Sequence, residues 1–151
     1  MIDACDLGAR RRWMSVLAQA RPEELELAWA ALPDKPVFRV VRRPETGLVM
    51  VRARAGGSGA RFNLGEMTVT RCSIELPSGA TGHAYVGGRS ARHAELAAVF
   101  DGLLQDPASR PALEVRLVAP LEADQRERRI TVQAHSAPTR VEFFTLVRGE
   151  E

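Results

Sequence analysis

The sequence predicts an α+β protein with an N-terminal helical hairpin, an antiparallel sheet of about five strands and further helices packed on that sheet. Apolar residues first recur at the spacing of a helix, and from Pro36 onward they alternate as in a strand. Most of the predicted strands are joined by short turns instead of crossover helices, which favours an antiparallel arrangement. Residues 140–147 alternate again near the end of the chain, and we expect them to form the last strand of this sheet.

The length and charge of the chain limit what the protein can be. Its 151 residues fit a single domain over positions 1–151, and a domain of that size buries about two-thirds of its unfolded surface. The 21 basic and 19 acidic side chains leave a net charge of +2. This balance gives no electrostatic reason to expect nucleic acid or an anionic membrane as the main partner.

The cysteines and histidines predict neither a disulfide framework nor a metal site. Cys5 and Cys72 lie far apart, and the three histidines are scattered without ligand spacing. The N-terminus has no apolar segment typical of a secretory signal, and no apolar run is long enough to span a bilayer. We therefore expect a cytoplasmic protein that binds no metal.

Two helices are predicted at the start of the chain. The first covers residues 7–20, with Asp6 as a candidate N-cap and Trp13 and Leu17 on its apolar face. The second begins at Pro22, a residue that suits the first helical turn, and ends before Pro33. The very short connection between them predicts an αα-hairpin.

Five strands follow from the alternating segments. Residues 36–42 and 48–53 are predicted to form a hairpin around a turn at 44–47, which reads Pro-Glu-Thr-Gly. Residues 65–76 are predicted to form a long strand. The alternation of its apolar residues shifts by one position near Thr70 and Arg71, which predicts a bulge or a change of buried face. Residues 81–87 and 140–147 complete the set.

The remaining helices are predicted from caps and prolines. Residues 90–105 form a helix capped by Ser90, residues 111–118 form another, and Pro120 separates these from a charged helix at 121–134. On the first of these helices Ala94, Ala98 and Gly102 make a face of small residues, which lets another backbone approach closely. That neighbour is a C-terminal helix of the chain or a partner, or else the face simply meets solvent.

The candidate anion site is the turn Gly87-Gly88-Arg89, which joins a strand to the start of a helix. Its glycines permit unusual backbone angles, and Arg89 is placed to grip an anion. A plain turn with Ser90 as the helix cap is the favoured interpretation. His93, one turn further on, is a candidate general base or interface residue, although a buried, hydrogen-bonded imidazole is favoured. The glycine-rich stretch at 56–59 is interpreted as a hairpin loop.

Several blocks of the chain, in order and over nearly its whole length, resemble the G subunit family of the carbon–phosphorus lyase core complex. They are RWMSVLA (12–18), ETGLV (45–49), GSGARF (57–62), GEMTVTR (65–71), GR followed by HAE (88–89 and 93–95), APLEAD (119–124) and RVEFFTLVRG (140–149). Ser90 is a departure, because relatives often carry an acid at this position. Serine and acidic residues both cap helices, so we expect the same fold. A contact that depends on a negative charge at this position would be lost.

The resemblance implies an accessory subunit in organic phosphonate catabolism. Members of the family join PhnI-, PhnH- and PhnJ-type subunits in a two-fold symmetric complex. With ATP as a substrate, the complex transfers an alkylphosphonate to ribose C1 and releases adenine. The implied product is α-D-ribose 1-methylphosphonate 5-triphosphate. The resemblance places the catalytic residues in the larger subunits and implies no cofactor bound by this chain.

Within this chain, the candidate contacts with an anion or a partner are Gly87, Gly88, Arg89, His93, Arg140 and Arg148. The alternative function is a free-standing phosphate- or nucleotide-binding protein that uses the helix N-terminus at Gly87–Arg89.

Overall fold

The structure, a computed structural model, describes residues 4–54 and 59–136. It contains helices α1 (Ala4–Gln19), α2 (Pro22–Ala30), α3 (Ala91–Leu104), α4 (Arg110–Leu113) and α5 (Ala119–Ser136), a π-helix (Glu114–Val118), and strands β1 (Arg39–Arg54), β2 (Arg61–Glu75) and β3 (Thr81–Gly87). The predicted mixture of helices with an antiparallel sheet is confirmed. Within the described ranges, none of the helices is both long enough and apolar enough to cross a bilayer.

The sheet contains three strands in the part of the chain that the structure describes, in the order β1-β2-β3, and both strand pairs are antiparallel. The prediction of about five strands is therefore not confirmed. One reason is that β1 runs continuously through both strands of the predicted first hairpin. The other is that the predicted last strand, residues 140–147, lies outside the described residues.

The predicted turn at 44–47 is wrong, because Pro44 lies inside β1. Arg42 pairs with Ser73 and Glu45 with Arg71, so Arg43 and Pro44 together oppose Cys72 in a bulge. A proline has no N–H to give to a ladder, and sheets accept it at bulges or in edge strands. Pro44 meets both conditions, because β1 is an edge strand of this sheet.

The slip in the apolar phase of β2 is a change of buried face. Val69 and Thr70 are consecutive and both buried, and burial then continues at Cys72 and Ile74. The register of β2 with β3 is uninterrupted from Val69 to Glu75, so β2 has no bulge there. The irregularity lies in the facing strand β1.

The core forms where α3 crosses one face of the sheet and contacts all three strands. Its small-residue face packs on β3: a Cβ at Gly82 would lie 1.9 Å from the carbonyl oxygen of Ala98 and 2.8 Å from the backbone nitrogen of Gly102. Among the described residues, the close neighbour of Ala98 and Gly102 is therefore β3 and not a C-terminal helix. The Ser90 cap is confirmed, since its hydroxyl accepts a hydrogen bond from the N–H of His93.

The first two helices follow each other closely, but hairpin packing between them is not confirmed. Each packs mainly against α3, and α1 also contacts β3 and α5. The buried face of α1 is as predicted, with Trp13 and Leu17 each 1% exposed. Asp6 lies inside α1 and is not its cap. Pro22 occupies the first turn of α2, as predicted.

The C-terminal helices are continuous from α4 through the π-helix into α5, so the predicted interruption at Pro120 is wrong. A proline inside an α-helix lacks one donor and clashes with the carbonyl four residues earlier. Here the π-helix comes directly before it, and the N–H of Ala119 donates to the carbonyl of Glu114, five residues back. The wider turn lets the helix continue past the proline.

Candidate functional site

The turn Gly87-Gly88-Arg89 is tied down by hydrogen bonds on its β2 side. Gly88 has φ +89°, the left-handed conformation that glycine tolerates best. Its N–H donates to the carbonyl of Thr68 at 2.9 Å, and its carbonyl accepts from the Thr70 hydroxyl at 2.8 Å. The amide of Gly88 is thus already occupied, which weakens the case for a ready-made anion cradle.

Arg89 is the one cation in this turn, and its side chain is exposed. It forms no ion pair or hydrogen bond with another residue of the described ranges. Arg140 and Arg148, the other two candidate arginines, lie outside the described residues.

His93 is a buried link between α3 and the end of α1. It is 5% exposed, and its Nε2 lies 2.9 Å from the carbonyl oxygen of Leu17. A carbonyl oxygen only accepts, so Nε2 carries the proton of this hydrogen bond. The favoured interpretation of a buried, hydrogen-bonded imidazole is confirmed.

Asp101 is the most heavily hydrogen-bonded side chain of α3, and its partners were not foreseen. It is fully buried, and its Oδ1 accepts from Arg10 Nε at 3.2 Å and from Trp13 Nε1 at 2.8 Å. Its Oδ2 accepts from Arg10 Nη2 at 2.7 Å and from the backbone N–H of His83 at 2.9 Å. Since a carboxylate accepts about four hydrogen bonds, none of its lone pairs is left for a substrate. Asp101 therefore holds α1 and the outer edge of β3 against α3.

The sequence carried one signal for this cluster. Asp101 is a carboxylate within the run Leu96–Leu104, which is otherwise apolar or small, and such a residue is expected to be paired when buried. The identities of Arg10, Trp13 and His83 as its partners depend on tertiary structure alone.

Cys72 is buried in the core, as predicted from its place in the apolar phase. Its Sγ lies 3.4 Å from the carbonyl oxygen of Arg42, to which it donates. Burial raises the pKa of the Cys72 thiol to about 11, so the group is a neutral thiol at physiological pH and a poor nucleophile.

Two clefts of the described part of the chain lie between its helices. A cleft of about 300 Å³ between α2, α3 and the π-helix is largely apolar, with Phe100 and Leu117 in its wall. Another of about 270 Å³ lies between α1 and α5, where Arg12 is already paired with Glu114 at 2.5 Å and Glu122 at 2.9 Å. Among the described residues, no three His, Cys, Asp or Glu side chains are grouped to hold a metal ion.

Comparison with known proteins gives the family of the chain. Residues 8–149 match the family model described as phosphonate metabolism protein PhnG. A relative from Rhizobium meliloti (strain 1021), the "Alpha-D-ribose 1-methylphosphonate 5-triphosphate synthase subunit PhnG", is 45% identical over 152 residues, which cover 99% of this chain and 95% of the relative. This chain therefore belongs to the PhnG family of phosphonate metabolism proteins.

Proposed function

We propose that this chain is an accessory subunit of a complex that makes α-D-ribose 1-methylphosphonate 5-triphosphate from ATP and methylphosphonate. The observation that carries the proposal is the 45% identity, over almost the full length, to a protein named as a subunit of that synthase. The expected partners are PhnI-, PhnH- and PhnJ-type subunits in a two-fold symmetric assembly. Because ATP is the substrate, we expect this assembly in the cytoplasm.

The proposed reaction requires one displacement at the ribose. A phosphonate oxygen forms a bond to ribose C1 while the bond from C1 to N9 of adenine breaks, and adenine leaves with a proton. ATP has the β configuration at C1 and the product has α, so the displacement inverts this carbon. Such a step needs an acid for the leaving base and cations around the triphosphate.

The geometry of three core side chains supports an accessory role. The described histidine and cysteine of the core, His93 and Cys72, are buried, and the Asp101 carboxylate is saturated. Their polar atoms are occupied in holding the fold together. We therefore assign the acid and the triphosphate contacts to the partner subunits.

The experiment is co-expression of this chain with the neighbouring genes of its operon. Adenine release and the phosphorus NMR spectrum would be followed with ATP and methylphosphonate for the whole assembly and for this chain alone. We expect product only with the partners, and lower yield when this chain is left out. Turnover by the isolated chain, or a chain that stays alone after co-expression, would contradict the proposal.

Calorimetry with ATP and the isolated chain distinguishes this proposal from the alternative, a free-standing anion-binding protein. If the chain is an accessory subunit, we expect that neither the isolated wild-type chain nor its Arg89→Ala variant binds ATP tightly. Tight binding that disappears in Arg89→Ala would favour the alternative, in which the turn at Gly87–Arg89 is the site.

A further inference from the structure

The outer half of the β1–β2 ribbon projects from the body of the protein. β3 pairs with β2 from Val69 to Glu75, so residues 47–54 of β1 and 61–68 of β2 have no third strand from the described ranges beside them. We call these two segments the arm. All of its residues are exposed except Val51, Ala53 and Thr68, which are half-buried. An isolated two-stranded ribbon is marginally stable in water at best, so the arm is a segment that a partner would stabilise.

The arm exposes large apolar side chains on both of its faces. Leu48 and Met50 lie on one face, and Val49 and Met67 pair across the strands on the other. Monomeric proteins scatter exposed apolar residues singly, whereas a contiguous set marks an interaction surface. The exposed fractions are 63% for Leu48, 38% for Val49, 52% for Met50, 44% for Phe62, 63% for Leu64 and 45% for Met67.

The far end of the arm is positively charged. Arg54 and Arg61 oppose each other directly across the strands, and Arg52 lies two residues from Arg54. None of the three has an ion pair with another residue of the described ranges. Like charges placed directly opposite destabilise a strand pair, and an anion between them removes that penalty. The end of the arm is therefore complementary to carboxylates.

We propose that the arm inserts into an apolar groove of another protein subunit, a groove bordered by carboxylates that pair with Arg52, Arg54 and Arg61. The inference rests on the proposed function, which supplies the partner. A second copy of this chain fits less well, because two basic ends would repel each other. Edge-to-edge pairing through β1 is also disfavoured by Pro44 and by the three register shifts along this strand.

The size of the arm is appropriate for an anchor of an interface. Eight residues in each strand at about 3.3 Å per residue, with the strands about 4.8 Å apart, give each face a footprint on the order of 250 Å². Two faces offer roughly 500 Å², against the roughly 800 Å² that one partner contributes to an interface of standard size. The arm would therefore supply more than half of such an interface.

The test uses the full chain and the assembly of the remaining operon subunits, with affinity measured by biolayer interferometry. The apolar variant is Leu64→Asp, and its matched control is Leu27→Asp, which changes a residue of α2 that is 73% exposed. The charge variant is Arg54→Glu/Arg61→Glu, and its control is Arg11→Glu, an exposed arginine on α1. The double variant keeps like charges opposed within the arm, so only the sign that the partner meets is changed.

We expect each arm variant to bind at least tenfold more weakly and both controls to bind like the wild type. The charge variant should also lose the acceleration of association at low salt. Circular dichroism of the isolated variants should match that of the wild type, because none of the changed residues is in the core.

Different failures have different meanings. If the wild-type chain does not bind the other subunits, the proposed function fails. If the wild type binds and the arm variants bind equally well, or the controls are weakened as much, the inference about the arm is overturned. An isolated chain that dimerises, or that binds phosphatidylserine vesicles, through the same residues would also overturn it.

Discussion

Replacement of Asp101 by alanine should cost this protein a large part of its stability. The change leaves the Trp13 indole N–H and the His83 backbone N–H without acceptors, and it removes the buried counter-charge of Arg10. Breaking a buried pair by removing one partner costs about 3–5 kcal/mol. The Arg10 side chain is 24% exposed and regains some water, so we expect the lower end, about 3 kcal/mol. A domain is stable by roughly 5–15 kcal/mol, so a loss of about 3 kcal/mol removes between a fifth and about three-fifths of its stability.

Urea denaturation followed by tryptophan fluorescence measures this loss, and Trp13 is itself a contact of the changed residue. The matched control is Asp106→Asn. Asp106 also accepts hydrogen bonds, from the Ser109 hydroxyl at 2.7 Å and the Ala108 N–H at 3.1 Å, but these hydrogen bonds lie at or near the surface. The control should cost less than about 1 kcal/mol. A loss for Asp101→Ala that is no greater than that of the control would refute the idea that Asp101 holds α1, α3 and β3 together.

The other predictions concern the same core. Gly82→Ala should prevent stable folding, because its Cβ would lie 1.9 Å from a carbonyl oxygen, whereas Gly65→Ala, with open space around it, should leave the urea midpoint almost unchanged. The Cys72 thiol ionises at a lower pH in the unfolded chain than in the folded protein, so the protein should lose stability as pH rises from about 9 to 11. Melting curves recorded over this pH range should show a smaller loss of stability for Cys72→Ser. His93→Gln should lower the melting temperature but leave turnover per assembled complex unchanged, since His93 bonds Leu17 and not a ligand; lost turnover in a fully assembled complex would contradict this.

Local signals were sufficient where an element depends on its own residues. The Ser90 cap, the proline at the start of α2 and the buried face of α1 follow from side chains a few positions apart. The burial of His93 was also foreseeable, because it lies on the flank of an apolar stripe. Each of these features is decided within one or two helical turns.

The turn at 44–47 failed because pairing with a distant strand overrode local turn chemistry. The segment reads Pro-Glu-Thr-Gly, which favours a turn, yet β2 is 15 residues long and pairs with β1 along its whole length. The strand predicted at 65–76 is longer than either strand of the predicted hairpin. This difference in length was the one indication in the sequence that the two short strands form a single long one. The partners of Asp101 had no such signal, since Arg10 is 91 positions away in the chain.

The two halves of β2 explain why a face for partners can coexist with a stable body. From Val69 onward the strand has β3 on one side and α3 above it, and the buried residues of the sheet all lie in this half or in β3. Before Thr68 its one strand neighbour among the described residues is β1, and residues 61–67 are exposed. Residues that stabilise the fold and residues available to a partner are thus separated along a single strand. If the arm is the partner surface that we propose, changes in it should act on binding, whereas changes around Asp101 and Gly82 should act on folding.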